Sequence, residues 1–224
     1  MSSVSAVYKP DTGGYLDFVL SNSTRGDASS VISAIDQYAD THTLMHIGNK
    51  KGSVIDDLIS KQPVQVMVEL GGYLGYSAVR FANKLPTNGH YYSFELNPEF
   101  AEVAGKIIEH AGLSSKVTIV LGEFQSTSKN FFQEYDVKEV QFVFIDHWQD
   151  LYVQDLKIIE ELKWMQKGAL VVADNVLYPG APEYKAYIEN HPETYESRMI
   201  EVEFSFRKGD KPVVDALLVA EFLG

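Results

Sequence analysis

Apolar positions along the chain recur at two spacings, and their alternation predicts the architecture. Residues 31, 32, 35 and 38 (Val31, Ile32, Ile35, Tyr38) form one face of a helix that starts near Ala28, with Ser29 or Ser30 as its cap. Short β-rich runs then alternate with helical patterns. A first strand enters V-Q-V-M-V-E-L-G-G-Y-L-G-Y-S (residues 64–77), a second is H-Y-Y-S-F-E-L (90–96), and a third spans 116–121. A fourth is Q-F-V-F-I-D (141–146) and a fifth A-L-V-V-A (169–173). Helices are expected at 77–85, from Pro98 to about residue 111, at 123–135, at 152–165 and at 183–190. Residues 44–53 read as a loop carrying two lysines, followed by a helix over 54–60. The last two β-rich runs, 199–206 and 213–222, are joined by R-K-G-D-K-P and form an antiparallel hairpin at one sheet edge. This pattern predicts an α/β, Rossmann-like domain: a mostly parallel sheet with helices on both faces.

Two acidic strand ends give that sheet a ligand. The first run ends E-L-G-G-Y-L-G, whose glycines allow a positive φ and close backbone approach at a helix start. Glu95 ends the second run, where a carboxylate can accept both hydroxyls of a ribose. A nucleoside-bearing cofactor follows. The E-x-G-G-x-x-G spacing departs from the G-x-G-x-x-G of nicotinamide-dinucleotide enzymes and disfavours that class. Asp146 ends the fourth run and Asp174-Asn175 follows the fifth, so three oxygen side chains are expected at the carboxyl edge. They form either a site for a hard divalent cation such as Mg²⁺ or only a helix cap and a loop start.

Composition narrows the remaining classes. At 224 residues, 28–224 make one domain, preceded by an extension over 1–27 in which 15–20 form a short docking helix and the first ten residues are poorly ordered. Nineteen basic against 31 acidic residues give a net charge of −12, which disfavours nucleic acid and anionic membrane as partners. With no cysteine there is no disulfide, thiolate nucleophile or thiolate metal site. No leader-like start or bilayer-length apolar run is visible, so the expected address is the cytoplasm. A monomer is the favoured state.

V-E-L-G-G-Y-L-G-Y-S-A-V-R, F-E-L-N-P-E-F-A, A-G-L-S-S-K-V-T-I, F-I-D-H-W-Q-D and A-D-N-V-L-Y-P-G-A-P, in that order, resemble catechol O-methyltransferases over residues 28–190. The resemblance implies a seven-stranded sheet whose last strand is antiparallel, with S-adenosylmethionine and Mg²⁺ used to methylate one hydroxyl of a small-molecule catechol. It implies that Glu69, Gly71, Tyr73 and Ser77 hold the methionine end of the cofactor and that Met45 and Ile47 flank the sulfonium. Glu95 would bind the ribose, Leu96 and Trp148 would sandwich the adenine, and Gln125 and His147 would sit beside it. Asp146, Asp174 and Asn175 would be the metal ligands. Asp146 and Asn175 would also meet the substrate, with Pro179 lining its apolar wall and Glu203, or Glu201 two residues earlier, anchoring it.

Two positions depart from the family. Its catalytic lysine, three residues after the first metal aspartate, is Gln149 here, and glutamine cannot take a proton from a phenol. A gatekeeping tryptophan is replaced by Thr43, which widens the expected pocket mouth. Lys51 is then expected to add positive potential from that mouth. The alternatives left by the lost lysine are a cofactor-binding protein with little turnover and a metal-dependent methyltransferase for other phenolics.

Overall fold

The computed structural model describes residues 10–224; the expectation for the start of the chain falls largely on residues 1–9, outside that range. Three helices, α1 (Thr12–Ser21), α2 (Ala28–Ala39) and α3 (Gly48–Ser60), precede the sheet. Then follow β1 (Val66–Leu70), α4 (Tyr76–Ala82), β2 (His90–Glu95), α5 (Pro98–His110) and β3 (Val117–Leu121). Two short helices, α6 (Phe124–Thr127) and α7 (Phe131–Glu134), lead to β4 (Val140–Ile145), α8 (Tyr152–Glu161) and β5 (Met165–Ala173). The chain closes with α9 (Pro182–Glu189), β6 (Tyr195–Phe204) and β7 (Val213–Phe222).

The seven strands lie in the order β3-β2-β1-β4-β5-β7-β6, with β7 antiparallel to both its neighbours and the other pairings parallel. The doubly wound α/β sheet with an antiparallel C-terminal hairpin is therefore the fold of this chain. Strand alternation divides the core between its two faces. Met67, Phe142, Phe144 and Val172 pack under α1 to α5, and Val68, Leu70, Val143 and Val171 pack under α6 to α9. Tyr15 and Val19 seat α1 on the first of these layers.

Several boundaries differ from the sequence reading. The cap of α2 is Asp27, whose carboxylate accepts from the N–H groups of Ser29 and Ser30; the Ser30 hydroxyl instead accepts from Thr24 N. Residues 44–47 of the expected lysine loop remain outside any helix, whereas residues 48–53 are instead the first half of α3. A glycine at position 52 there is demanded by Arg80, whose Nε would lie 2.8 Å from any added Cβ. The single helix expected over 123–135 is broken by a 3₁₀ turn at Ser128–Asn130, because Phe124 and Phe131 both turn onto Trp164, at ring distances of 5.5 and 4.7 Å. α8 stops four residues short of Met165, where Lys163 takes a φ of +54° and sends Trp164 into the core. β5 consequently begins at Met165 and crosses an irregularity in its pairing with β4 before Leu170. β6 begins at Tyr195, earlier than its apolar residues suggest, because its outer face is charged and exposed.

Candidate active site

The carboxyl ends of β1, β2, β4 and β5 bring the expected site residues to one edge of the sheet. Glu69, near the end of β1, is fully buried, and the Ser93 hydroxyl donates to its Oε2 at 2.6 Å. Its Oε1 makes no hydrogen bond. Burial pushes this carboxyl up to about 7, although the hydroxyls of Ser77, Ser93 and Tyr91 around it act in the opposite direction. After it the backbone turns sharply. Gly71 has a φ of +101°, and a Cβ there would fall 2.5 Å from the Asp146 carbonyl oxygen, so only glycine lets the β1 and β4 ends meet. The N–H groups of Gly71 and Gly72 both donate to Phe94 O, tying the turn to β2.

Glu95 closes β2 with both oxygens engaged: Oε2 accepts from Tyr73 N and Oε1 from Asn97 N, each at 2.7 Å. Its carboxyl is raised by burial, against these backbone donors. Beyond it, Leu96 and Trp148, past the ends of β2 and β4, are exposed by 64% and 62%, and Met45, in the loop before α3, by 58%. Large apolar side chains left open around a crevice are what a flat ligand group would cover. Ile47 differs from them; it is buried in the core layer beneath α3.

Gln125 and His147 meet on a residue the sequence reading missed. Asp155, fully buried on α8, accepts from Gln125 Nε2 at 2.5 Å and pairs with His147 Nε2 at 2.7 Å. A signal was available. Tyr152, Leu156 and Ile159 form the buried face of α8, and Asp155 interrupts it with a carboxylate.

At the β5 end lies a cluster of charges. Lys51 Nζ donates to both oxygens of Asp174 at 2.6 Å and to Asp215 Oδ2 at 3.0 Å, and it stands 4.8 Å from the Phe204 ring centroid. Lys51 is thus a buried ion-pair partner carried by α3, not a group at the pocket mouth. Asp215, unforeseen and fully buried, also accepts from Asn175 Nδ2 and from the N–H groups of Leu177 and Tyr178. It too is a carboxylate inside an apolar run, V-V-D-A-L-L-V-A, and pins the loop after β5 to β7. Asn175 gives its second amide hydrogen to Tyr178 O, so its Oδ1 is turned away from these acceptors. Burial and then Asp174 push the Asp146 carboxyl well up, while burial raises Asp174 to about 6 against the pull of Lys51.

Gln149 is half-buried in the 3₁₀ turn Gln149–Leu151, next to the Asp146 side of the cluster and close to the buried Tyr152. Pro179 follows a cis peptide bond beside exposed Leu177 and Tyr178. Glu201 and Glu203 are exposed on β6. Alternation along the strand places them on the face opposite Phe204, hence away from Lys51.

The donor chemistry can be tested against the groups that the resemblance implies. Among the described residues, no cluster of three or more His, Cys, Asp or Glu side chains is arranged as a metal site. Asp146, Asp174 and Asn175 offer instead two carboxylates and an amide oxygen. Asp174 and Asp215 both bind the Lys51 ammonium and Asp146 acts on it from further off, so carboxylates outnumber the cation there. The Asp146 carboxyl, pushed well up, is the one that a bound cation would ionise. Hard oxygen donors with that imbalance fit a divalent cation. The orphaned Glu69 Oε1 beneath a glycine turn likewise fits a cationic ligand group.

The sequence matches the O-methyltransferase family over residues 28–210. The chain belongs to that family. Bovine catechol O-methyltransferase is 40% identical over 177 residues, 79% of this chain and 65% of that protein, so the chain spans somewhat under two thirds of that relative. Zebrafish (Danio rerio) catechol O-methyltransferase B is 34% identical over 93% of this chain and 78% of its own length. An O-methyltransferase structure from Bacillus cereus, in complex with SAH, has a TM-score of 0.71 at 18% identity, covering 97% of this chain and 93% of that one. That likeness establishes the shared fold. Within this O-methyltransferase no described helix is long and apolar enough to cross a membrane.

Proposed function

We propose that this protein transfers the methyl group of S-adenosylmethionine to one hydroxyl of a small-molecule catechol, with a divalent cation held by Asp146, Asp174 and Asn175. The observation that carries the reading is the surplus of carboxylates around Lys51, with Asp146 pushed well up by burial and Asp174, set beside the glycine turn and the buried Glu69. The catechol O-methyltransferases among its relatives support catechols as the substrate class.

In the transfer the sulfur–carbon bond breaks as the oxygen–carbon bond forms; the sulfonium becomes a neutral thioether and the attacking hydroxyl loses its proton. S-adenosylmethionine supplies the electrophilic methyl group, and Mg²⁺ supplies positive charge that favours ionisation of a phenol, whose ordinary pKa is about 10. The chain's own residues do the rest. Glu69, Gly71, Tyr73 and Ser77 hold the methionine end, Met45 and Ile47 flank the sulfonium, and Glu95 holds the ribose. Leu96 and Trp148 enclose the base, with Gln125 and His147 fixed beside it by Asp155. Asp146 and Asn175 present oxygens to the acceptor, and Pro179 forms its apolar wall. Alignment of oxygen, carbon and sulfur is the main contribution.

Gln149 has no basicity to offer, so the hydroxyl proton leaves without a side-chain base at that position. Gln149→Lys is expected to raise the rate about 10²-fold near pH 6 to 7, the low end of what one general base contributes, with the gain shrinking toward pH 9. The reading itself is tested by labelled methyl transfer to catechol and to phenol, each with Mg²⁺ and with chelator. Turnover of catechol alone, abolished by chelator, is expected. Turnover of neither, or of both regardless of chelator, contradicts the reading.

A further inference from the structure

The R-K-G-D-K-P segment between β6 and β7 has no part in the transfer just described, yet it crosses the acceptor side of the site. At its start the Phe204 ring lies against Lys51, the cation paired with Asp174. Two residues on, Phe206 packs on Tyr178 with ring centroids 6.1 Å apart, beside Pro179. Lys208 N then donates to Asp40 O, at the end of α2 and the start of the loop that carries Met45. The segment is therefore a strap joined to both rims of the opening.

Its charge is opposite to that of the protein. Arg207, Lys208 and Lys211 fall within five residues of a chain whose net charge is −12. Arg207 is partly offset by Asp210, at 3.2 Å. Lys208 and Lys211 are exposed and form no ion pair with a described residue. Lys50, on the first turn of α3, adds a further cation; its Nζ is held by the Glu203 carbonyl at 2.8 Å, an acceptor that leaves the charge uncompensated. A cationic strap at the rim of an otherwise acidic protein attracts anions locally, and an anionic substituent on an acceptor bound at this edge would meet that field.

We infer that the strap selects acceptors bearing a carboxylate, so that the preferred substrates are catechols with an acidic side chain rather than neutral or ammonium-bearing ones. This inference rests on the catechol reading above and names the class within it. Each exposed pairing contributes a factor of about 1.4 to 5, and three together about tenfold.

The test compares kcat/KM for 3,4-dihydroxybenzoate, 4-methylcatechol and 2-(3,4-dihydroxyphenyl)ethylamine, with dissociation constants for the same three measured by calorimetry in the presence of S-adenosylhomocysteine and Mg²⁺. The carboxylate is expected to exceed the amine about tenfold in both readouts at low salt, with the gap narrowing in 0.5 M salt, where screening extends over only about 4 Å. In Lys208→Glu/Lys211→Glu the order of carboxylate and amine is expected to reverse. Both substitutions replace exposed side chains, and Arg207→Gln/Lys208→Gln/Lys211→Gln, which should bring the ratio near one, provides the milder variant. Equal use of all three catechols, or a carboxylate preference that survives charge reversal, overturns the inference and leaves the catechol reading standing. Absence of both binding and turnover for every catechol overturns the catechol reading and the inference with it.

Discussion

The two halves of the site solve the problem of buried polar groups in different ways. On the β1–β2 side, carboxylates are met by neutral donors: Ser93 on Glu69, backbone N–H groups on Glu95, and the Gln125 amide and His147 ring on Asp155. On the β5–β7 side Asp174 is met by the buried Lys51 ammonium, which also binds Asp215 beside the Asn175 amide and two backbone N–H groups. Carboxylates outnumber that ammonium. Neutral hydrogen bonding leaves a surface ready for a ligand of modest charge. An unbalanced charge cluster stays costly until further positive charge arrives.

The largest test of this contrast is Lys51→Met. It strips the Lys51 ammonium from the buried carboxylates of Asp174 and Asp215 and is expected to lower unfolding free energy by about 3–5 kcal/mol, read from urea denaturation at pH 7. Adding Asp174→Asn to that variant should recover part of the loss, since one unpaired charge is then gone. A loss below 1 kcal/mol for Lys51→Met would show that the cluster is already relaxed by solvent.

Asp155→Ala probes the other half. It leaves the Gln125 amide and the His147 ring without their shared acceptor, and a loss of about 1–3 kcal/mol is expected, with weaker binding of S-adenosylhomocysteine by calorimetry. Equal losses in the two halves would erase the distinction drawn between them.

A third difference is the pH dependence contributed by Glu69. Its carboxyl is raised from 4.5 to about 7 by burial, so between those values the folded protein holds a proton that the unfolded chain has released. Its stabilising contribution is therefore full below pH 4.5 and is lost as pH rises through 7, with a slope of at most about 1.4 kcal/mol per pH unit. A ligand ammonium prefers the ionised carboxylate, so binding of S-adenosylhomocysteine should strengthen over the same interval. Glu69→Gln is expected to flatten both curves; unchanged curves would assign the dependence elsewhere.

The contrast also explains what could be read in the sequence. Glu69, Gly71, Glu95, Asp146 and Asp174 each sit at or just beyond the end of an apolar run, and position on a strand is what periodicity reveals. The sheet and its C-terminal hairpin were legible for the same reason. Lys51, Asp174 and Asp215 are joined across 123 and 164 residues, a pairing that no local pattern encodes. Lys51 was further hidden by its surroundings: G-N-K-K-G-S has the composition of a loop, and it is helical because Arg80 packs over Gly52 and the carboxylates draw Lys51 inward. Asp155 and Asp215 were announced only as acids on apolar faces.

The central claim is that the charge imbalance around Lys51 is the seat of a divalent cation. It is tested most directly by calorimetric titration of the protein with Mg²⁺ beside Asp146→Asn, with S-adenosylhomocysteine present throughout. The account predicts one ion bound per chain, with affinity reduced at least tenfold in the variant. No binding, or binding that Asp146→Asn leaves unchanged, would contradict it.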